Sequence, residues 1–201
     1  YVTVKQYLAD EENTEWNIQL LMKTGAQHSA LGQTEGIHWH INPNISIETL
    51  DKLSKDESQF VRVRVAAHIK TSTATLDNLS KDESEFVREF VAEHLNTSVE
   101  TLVALSEDRL IVSWVAGNPN TPFEIIEKLS KDRDEFVRIS VSVNPGITIE
   151  LLRELSKDED ENVRAAVAKN PKTPVDILST LSKDESEGVR EVVLENPNTP
   201  A

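Results

Sequence analysis

The chain has 201 residues, of which 35 are Asp or Glu and 21 Lys or Arg, for a formal net charge of −14, and it has no cysteine. The missing cysteine excludes disulfides, thiolate metal sites and cysteine nucleophiles, while the acidic field repels phosphate backbones, favours cationic partners and keeps the chain soluble. No apolar run approaches the ~20 residues that cross a bilayer, and the N-terminal Tyr-Val-Thr-Val-Lys lacks the apolar stretch of a secretion signal, so a cytoplasmic protein without a membrane partner is expected.

Residues 1–44 come first and follow no period until their end. Thr14, Glu15 and Trp16, then Ile18, Leu21 and Met22 with a stop at Gly25, predict a short capped helix. Trp39, followed by Asn42 and Pro43, falls in register with Val65 and its later equivalents, so 34–43 reads as the second half of a degenerate repeat. A terminal repeat lacks one neighbour and must differ from the rest, and 1–44 is accordingly expected to be an N-terminal cap.

From Ile45 the chain keeps a fixed beat. Leu-Ser-Lys-Asp stands at 53–56, 79–82, 129–132, 155–158 and 181–184, and Leu-Ser-Glu-Asp at 105–108. Alignment on it gives units 45–70, 71–96, 97–120, 121–146, 147–172 and 173–198, five of 26 residues and the third of 24. A period of this size means a solenoid, in which each unit buries its apolar side only against its neighbours and one core runs through the stack without an internal domain boundary. Thr199, Pro200 and Ala201 open a seventh unit, and together with the absence of an initial Met they raise the expectation of a domain cut from a longer array.

Each unit predicts two short helices. Thr97, Thr121 and Thr173, with Glu100, Glu124 and Asp176 three residues on, are the predicted caps of the first helix, and Pro122 and Pro174 its first helical residues. Where Ile45 and Ile147 stand in place of Thr, the hydroxyl comes one residue later, at Ser46 and Thr148. Apolar residues then follow three apart, as in Ile47, Leu50, Leu53 or Ile149, Leu152, Leu155, a spacing that suits a 3₁₀ helix better than an α-helix. The second helix is expected after Ser58, Ser84, Asp134, Asp160 or Ser186 and carries valines four apart, such as Val61 and Val65 or Val137 and Val141. It ends where Pro119, Pro145, Pro171 and Pro197, each preceded by Asn, forbid continuation. Nothing alternates with period two over a useful length, so the expected fold class is all-α with no sheet.

Taken in sequence, Asn-Pro-Asn-Thr-Pro, Leu-x-x-Leu-Ser-Lys-Asp and Val-Arg-x-x-Val, as in 118–141 (with Ile126) and 170–193 (with Lys172), resemble the leucine-rich repeat variant family, a HEAT-like α-solenoid. The resemblance covers 34–201 and implies a right-handed superhelix of alternating α and 3₁₀ helices. The family's founding example joins such an array to a cysteine-bound iron–sulfur domain. Without cysteine that cofactor does not carry over, and no cofactor is expected.

Stacking turns each repeated residue into a row. Arg62, Arg88, Arg138, Arg164 and Arg190 form one row, and Asp56, Asp82, Asp108, Asp132, Asp158 and Asp184 another. A planar fork of donors suits bridging to the acids or free carbonyls of an adjacent unit, a structural reading that stands against the alternative of a charged groove. Lys55, Lys81, Lys131, Lys157 and Lys183, at the end of the first helix, complement its dipole. The third unit breaks these rows. It is two residues short before its second helix, has Glu107 for Lys and Val112 for Arg, and carries Trp114 and Gly117. Trp114 shares its row with Arg64 and Phe90, so the three are expected on consecutive units with the composition of an interface hot spot. Arg64, Phe90 and Trp114 are therefore the candidate partner-binding residues, with the competing reading that Trp114 fills space left by the deletion.

His38 and His40 flank Trp39, and His68 and His94 replace the Asn of the Asn-Pro turn, where a hydrogen-bonding role at a helix end is simpler than a shared metal. No catalytic zinc spacing, glycine-rich phosphate loop or Gly-x-Ser-x-Gly elbow occurs, so neither a metal site nor an enzyme is expected. The reading that follows is a non-enzymatic scaffold whose acidic, extended surface binds a protein or peptide with a basic contribution from the partner. Its rivals are an acidic solenoid that mimics DNA to occupy a DNA-binding protein, and direct nucleic-acid binding, which the charge and the lack of a Lys/Arg-rich stretch with aromatics disfavour.

Overall fold

The computed structural model describes residues 44–200. The helix expected after Thr14 and the degenerate unit at 34–43 lie outside these residues. Among the described residues the chain is all-helical, without a strand, and its twelve α-helices fall into six pairs. The pairs are α1 (Ile47–Leu53) with α2 (Gln59–Ala66), α3 (Thr73–Leu79) with α4 (Glu85–Glu93), and α5 (Val99–Leu105) with α6 (Val112–Gly117). They continue with α7 (Phe123–Leu129) and α8 (Glu135–Val143), α9 (Ile149–Leu155) and α10 (Glu161–Lys169), and α11 (Val175–Leu181) and α12 (Glu187–Glu195). No helix among them is long and apolar enough to cross a membrane.

The first helix of each pair is an α-helix of seven residues rather than a 3₁₀ helix. Its bonds reach four residues back, as from Ser80 N–H to the Leu76 carbonyl at 2.8 Å, and tighten to three-residue bonds only at the exit, as from Asp82 N–H to the Leu79 carbonyl at 3.0 Å. The triplet spacing misled because only two of its three members are core. Leu152 and Leu155 are buried, whereas Ile149 at the head of the triplet is exposed and Leu151 is buried in its stead. That buried set, i, i+1 and i+4, is an α-helical face.

The cap also sits one residue later than the threonines suggest. Ser46, Ser72, Ser98 and Thr148 are the N-caps, each hydroxyl accepting the N–H of the third residue onward. Pro122 and Pro174 take the same cap position, in extended conformation and without a side-chain bond. Thr71, Thr97, Thr121 and Thr173 are buried and serve the preceding helix instead. Their hydroxyls donate to the carbonyls of Val65, Val91, Val115 and Val167 at 2.5 to 2.6 Å, a second donor at helix ends where each of these carbonyls also accepts the N–H three residues onward. The second helices start at the expected caps, Ser58, Ser84, Asp134, Asp160 and Ser186.

Packing follows from these faces. Second helices lie against the second helices of adjacent units, and each first helix lies on the second helices that flank it in sequence. Each unit contributes Val61 and Val65 or their equivalents, and a leucine or isoleucine such as Leu76 or Ile126, to a core in which these side chains are buried. A fully buried aliphatic side chain of this kind stabilises by about 2 kcal/mol relative to exposure, so six concordant copies supply the bulk of the driving force. The short α6 joins the two ends of the stack, since Ile111 and Val115 pack toward the N-terminal units and Val112 and Ala116 toward the C-terminal ones.

Two polar ladders lock each unit to the next. Asn118, Asn144 and Asn196 donate through Nδ2 to the carbonyls of Ala92, Ala116 and Ala168 in the unit before, each at 2.6 Å, and Asn170 does so to Ser142 at 2.7 Å. Their Oδ1 atoms accept the N–H two residues onward, so each side chain is a tie between units and the pin of its own turn. The second ladder is ionic. Arg62 reaches Asp82, Arg138 reaches Asp158 and Arg164 reaches Asp184 through two parallel bonds of 2.6 to 3.0 Å. Arg88 meets Asp108 at 2.8 Å. The other arm of each guanidinium donates to the carbonyl of its own unit's aspartate, so one arginine holds the loop behind it and the unit ahead. This is the bridging reading of the arginine row.

Candidate partner-binding face

The second helices bury one side and leave residues of the other side exposed. On α2, α4 and α6 the valine stripe points inward, and the residue three places after its first member is half-buried at the edge of that stripe on α2 and α4 and exposed only on α6. Arg64, Phe90 and Trp114 occupy that position on the three successive helices. Arg64 is half-buried, and desolvation holds its guanidinium below the ordinary arginine value. Phe90 is half-buried against the N-terminal core, whereas Trp114 remains 40% exposed.

The third unit keeps the clip that its missing arginine suggests it has lost. Val112, at the arginine position, is buried in the core, and Arg109 from the preceding loop binds Asp132 through two bonds of 2.5 and 3.0 Å. The Asp132 carboxyl is held below the usual carboxylate range, first by this bond and then against the opposing effect of burial. A short, shifted loop therefore delivers from outside what the other units deliver from the helix. Glu107, standing where the other units have Lys, pairs with Lys128 of the following unit at 2.7 Å.

The two histidines of the turn row stand in for asparagine. His94 Nε2 meets the His68 carbonyl at 3.0 Å and its Nδ1 accepts the Asn96 N–H at 2.9 Å. That pair of bonds fixes a neutral ring with the proton on Nε2, and burial keeps its pKa low despite the carbonyl. His68 Nδ1 accepts the Lys70 N–H at 3.1 Å in the same way. Among the described residues no three His, Asp or Glu side chains converge to hold a metal ion.

One feature of this face was missed in reading the sequence. Phe60, Phe86 and Phe136 are 58%, 55% and 66% exposed, and Leu110, leading into α6, is 68% exposed. They lie one residue before the inward valine or isoleucine and one turn from the row of Trp114. The signal was present as Phe-Val-Arg at 60–62, 86–88 and 136–138, but an apolar residue beside a core valine reads as core unless its helical phase is followed through.

No family model matches the chain, and no curated protein matches it. Among solved structures, the X-ray structure of the YibA protein of Escherichia coli aligns over 92% of this chain and 74% of its own, with 15% identity and a TM-score of 0.38. A structure described as a leucine-rich repeat variant with a novel repetitive protein structural motif aligns over 94% of this chain and 78% of its own, with 23% identity and a TM-score of 0.57. The fold is that of a leucine-rich repeat variant. At this identity the likeness speaks to architecture alone. In a leucine-rich repeat variant fold built as here, Arg62, Arg88, Arg138 and Arg164, the aspartates they reach and the asparagine row are taken up by contacts between units. Exposed apolar side chains remain on the first helices, as at Ile47 and Val99, at the turns, as at Ile69 and Leu95, and along the second helices, as at Phe60 and Trp114.

Proposed function

We propose that the protein is a non-enzymatic scaffold that binds a protein or peptide through the outer flank of its second helices, with Arg64, Phe90 and Trp114 among the contacts and basic side chains supplied by the partner. The observation that carries the reading is Trp114, a large aromatic left 40% exposed at the unit where the register shifts. Exposed aromatics beside an arginine are the residues that dominate interface energetics. The net charge of −14 supports the basic character of the partner. Mimicry of DNA gains little support. The most regular row of carboxylates is taken up by arginine at Asp82, Asp108, Asp132, Asp158 and Asp184.

The test is affinity capture with the wild-type chain and with Trp114→Ala, each checked by circular dichroism. Loss of partner with helicity unchanged is expected, and capture that weakens as salt rises. Loss of helicity in Trp114→Ala would instead assign the side chain to packing, and capture indifferent to salt would remove the electrostatic part.

A further inference from the structure

The row Phe60, Phe86, Leu110 and Phe136 has no structural duty that accounts for it. In the last two units the same position holds Asn162 and Gly188, yet α10 and α12 run nine residues as α8 does, with the same buried valines. Helix and core are therefore indifferent to what stands there. Four consecutive units place a large apolar side chain in that position, each more than half exposed, and then the row stops. Large exposed apolar side chains repeated on successive packed helices and bounded in this way point to an interaction site rather than a solvated face.

Charge decides what kind of partner fits. On α4, beside Phe86 and Phe90, Glu85, Glu89 and Glu93 follow one another at intervals of one turn. The one cation of that helix, Arg88, faces away into its bond with Asp108. The Glu89 carboxyl is raised above its usual range, by burial first and then by the charges of Glu93 and Glu85, a strain that an incoming ammonium or guanidinium would relieve. A second copy of the chain, at −14, is repelled from such a face, as is any phosphate surface.

We infer that the first four units dock a cationic amphipathic helix of a protein partner, its apolar side laid across Phe60, Phe86, Leu110 and Phe136 and its Lys or Arg side chains set against Glu85, Glu89 and Glu93. Packed helices lie ~8–10 Å apart, so the four rungs span ~24–30 Å, the length of a helix of about 20 residues. Such a helix presents the same side every seventh residue, or about 10.5 Å, which meets one rung of the row per two turns. The inference rests on the scaffold reading above and names the chemistry of its partner.

The probe is a synthetic peptide of about 20 residues with leucine at the a and d positions of each heptad and lysine elsewhere, titrated by fluorescence anisotropy beside a peptide with serine at those positions. The wild-type chain is expected to bind the leucine peptide more tightly than the serine one. Phe86→Ser with Phe136→Ser, and separately Phe60→Ser with Leu110→Ser, are expected to weaken it about tenfold or more with melting temperature unchanged. Glu89→Gln with Glu93→Gln is expected to weaken it in a manner that fades as salt rises. Equal binding of the two peptides, no binding by the wild type, or wild-type affinity in both apolar double variants overturns the inference. So does self-association of the wild type, seen by sedimentation, that the apolar variants abolish. A peptide or captured partner lost through Trp114→Ala but kept by the apolar variants overturns this row while leaving the scaffold reading standing; loss through neither overturns both.

Discussion

In unit 121–146 the arginine that grips the next unit rises from the helix, and in unit 97–120 it comes from the loop. Arg138 stands on α8, is 8% exposed, and meets Asp158 with two bonds of 2.8 Å. Arg109 precedes α6, has a side chain 48% exposed, and meets Asp132 from the solvent side. The third unit has two residues fewer between its aspartate and its inward apolar residue, so its helix is short and its arginine position falls in the core as Val112. The comparison teaches that each aspartate from Asp82 to Asp184 is met by a guanidinium of the unit before it, whichever backbone position supplies that guanidinium. The difference is burial, and burial sets what each clip contributes.

The largest effect is expected when all the clips are released together by acid. Asp132 and Asp184 are held below the ordinary carboxylate range, first by their arginine bonds. At Asp82 and Asp158 burial is the largest single effect and opposes the shift, and it is outweighed by the bonds to Arg62 and Arg138 acting together with the N–H groups of Ser84 and Asp160 and the neighbouring arginine charges. A carboxylate whose folded pKa is depressed contributes stability that is full above its unfolded value, here 3.8, and is lost as pH falls through the folded one. Glu89, shifted upward, runs the other way but is one group against four. Urea melts at neutral pH and at successively lower pH are expected to show a steep loss of stability below about pH 4. Stability unchanged down to pH 3 would break the account of the clips.

Next in size is Arg138→Leu, which leaves Asp158 without its partner in a largely buried place. It is expected to destabilise by about 3 kcal/mol in thermal or urea melts. Arg109→Leu is expected to act in the same direction with a visibly smaller effect, since solvent screens its pair. Asn144→Ala follows. It frees the buried carbonyls of Ala116 and Asn118 and is expected to lower stability by about 2 kcal/mol. Smallest is Gly117→Ala, at the end of the shortened α6. A methyl group there meets nothing within 4 Å, so a gain of about 0.5 kcal/mol is expected, and a loss would show that the third unit needs glycine for a reason other than space.

The period made the architecture readable. Six copies of one beat fixed the pairing of helices, their core valines and the caps of the second helices, because each unit meets the same neighbours and its sequence repeats the same demands. The first helix was read less well. Its threonines looked like caps because a hydroxyl followed by an acid three residues on satisfies that rule locally, while their real partners are carbonyls six residues back, on a different helix. Arg109 was invisible for a similar reason, since its partner Asp132 lies 23 residues onward and no row contains it. Trp114 could be placed in a row, but its exposure depends on how far α6 turns, which the deletion alters. Phe60, Phe86 and Phe136 carry their meaning in helical phase alone, and apolar residues adjacent to core valines do not announce which way they face.

The central claim, that an arginine on the aspartate of the following unit locks unit to unit and that burial sets its strength, is tested most directly by a pair of double-mutant cycles. One combines Arg138→Leu with Asp158→Asn, the other Arg109→Leu with Asp132→Asn, with stability read from urea melts. The expected coupling is about 2 kcal/mol across the buried pair and clearly less across the exposed one. Equal couplings, or none at Arg138 and Asp158, would contradict it.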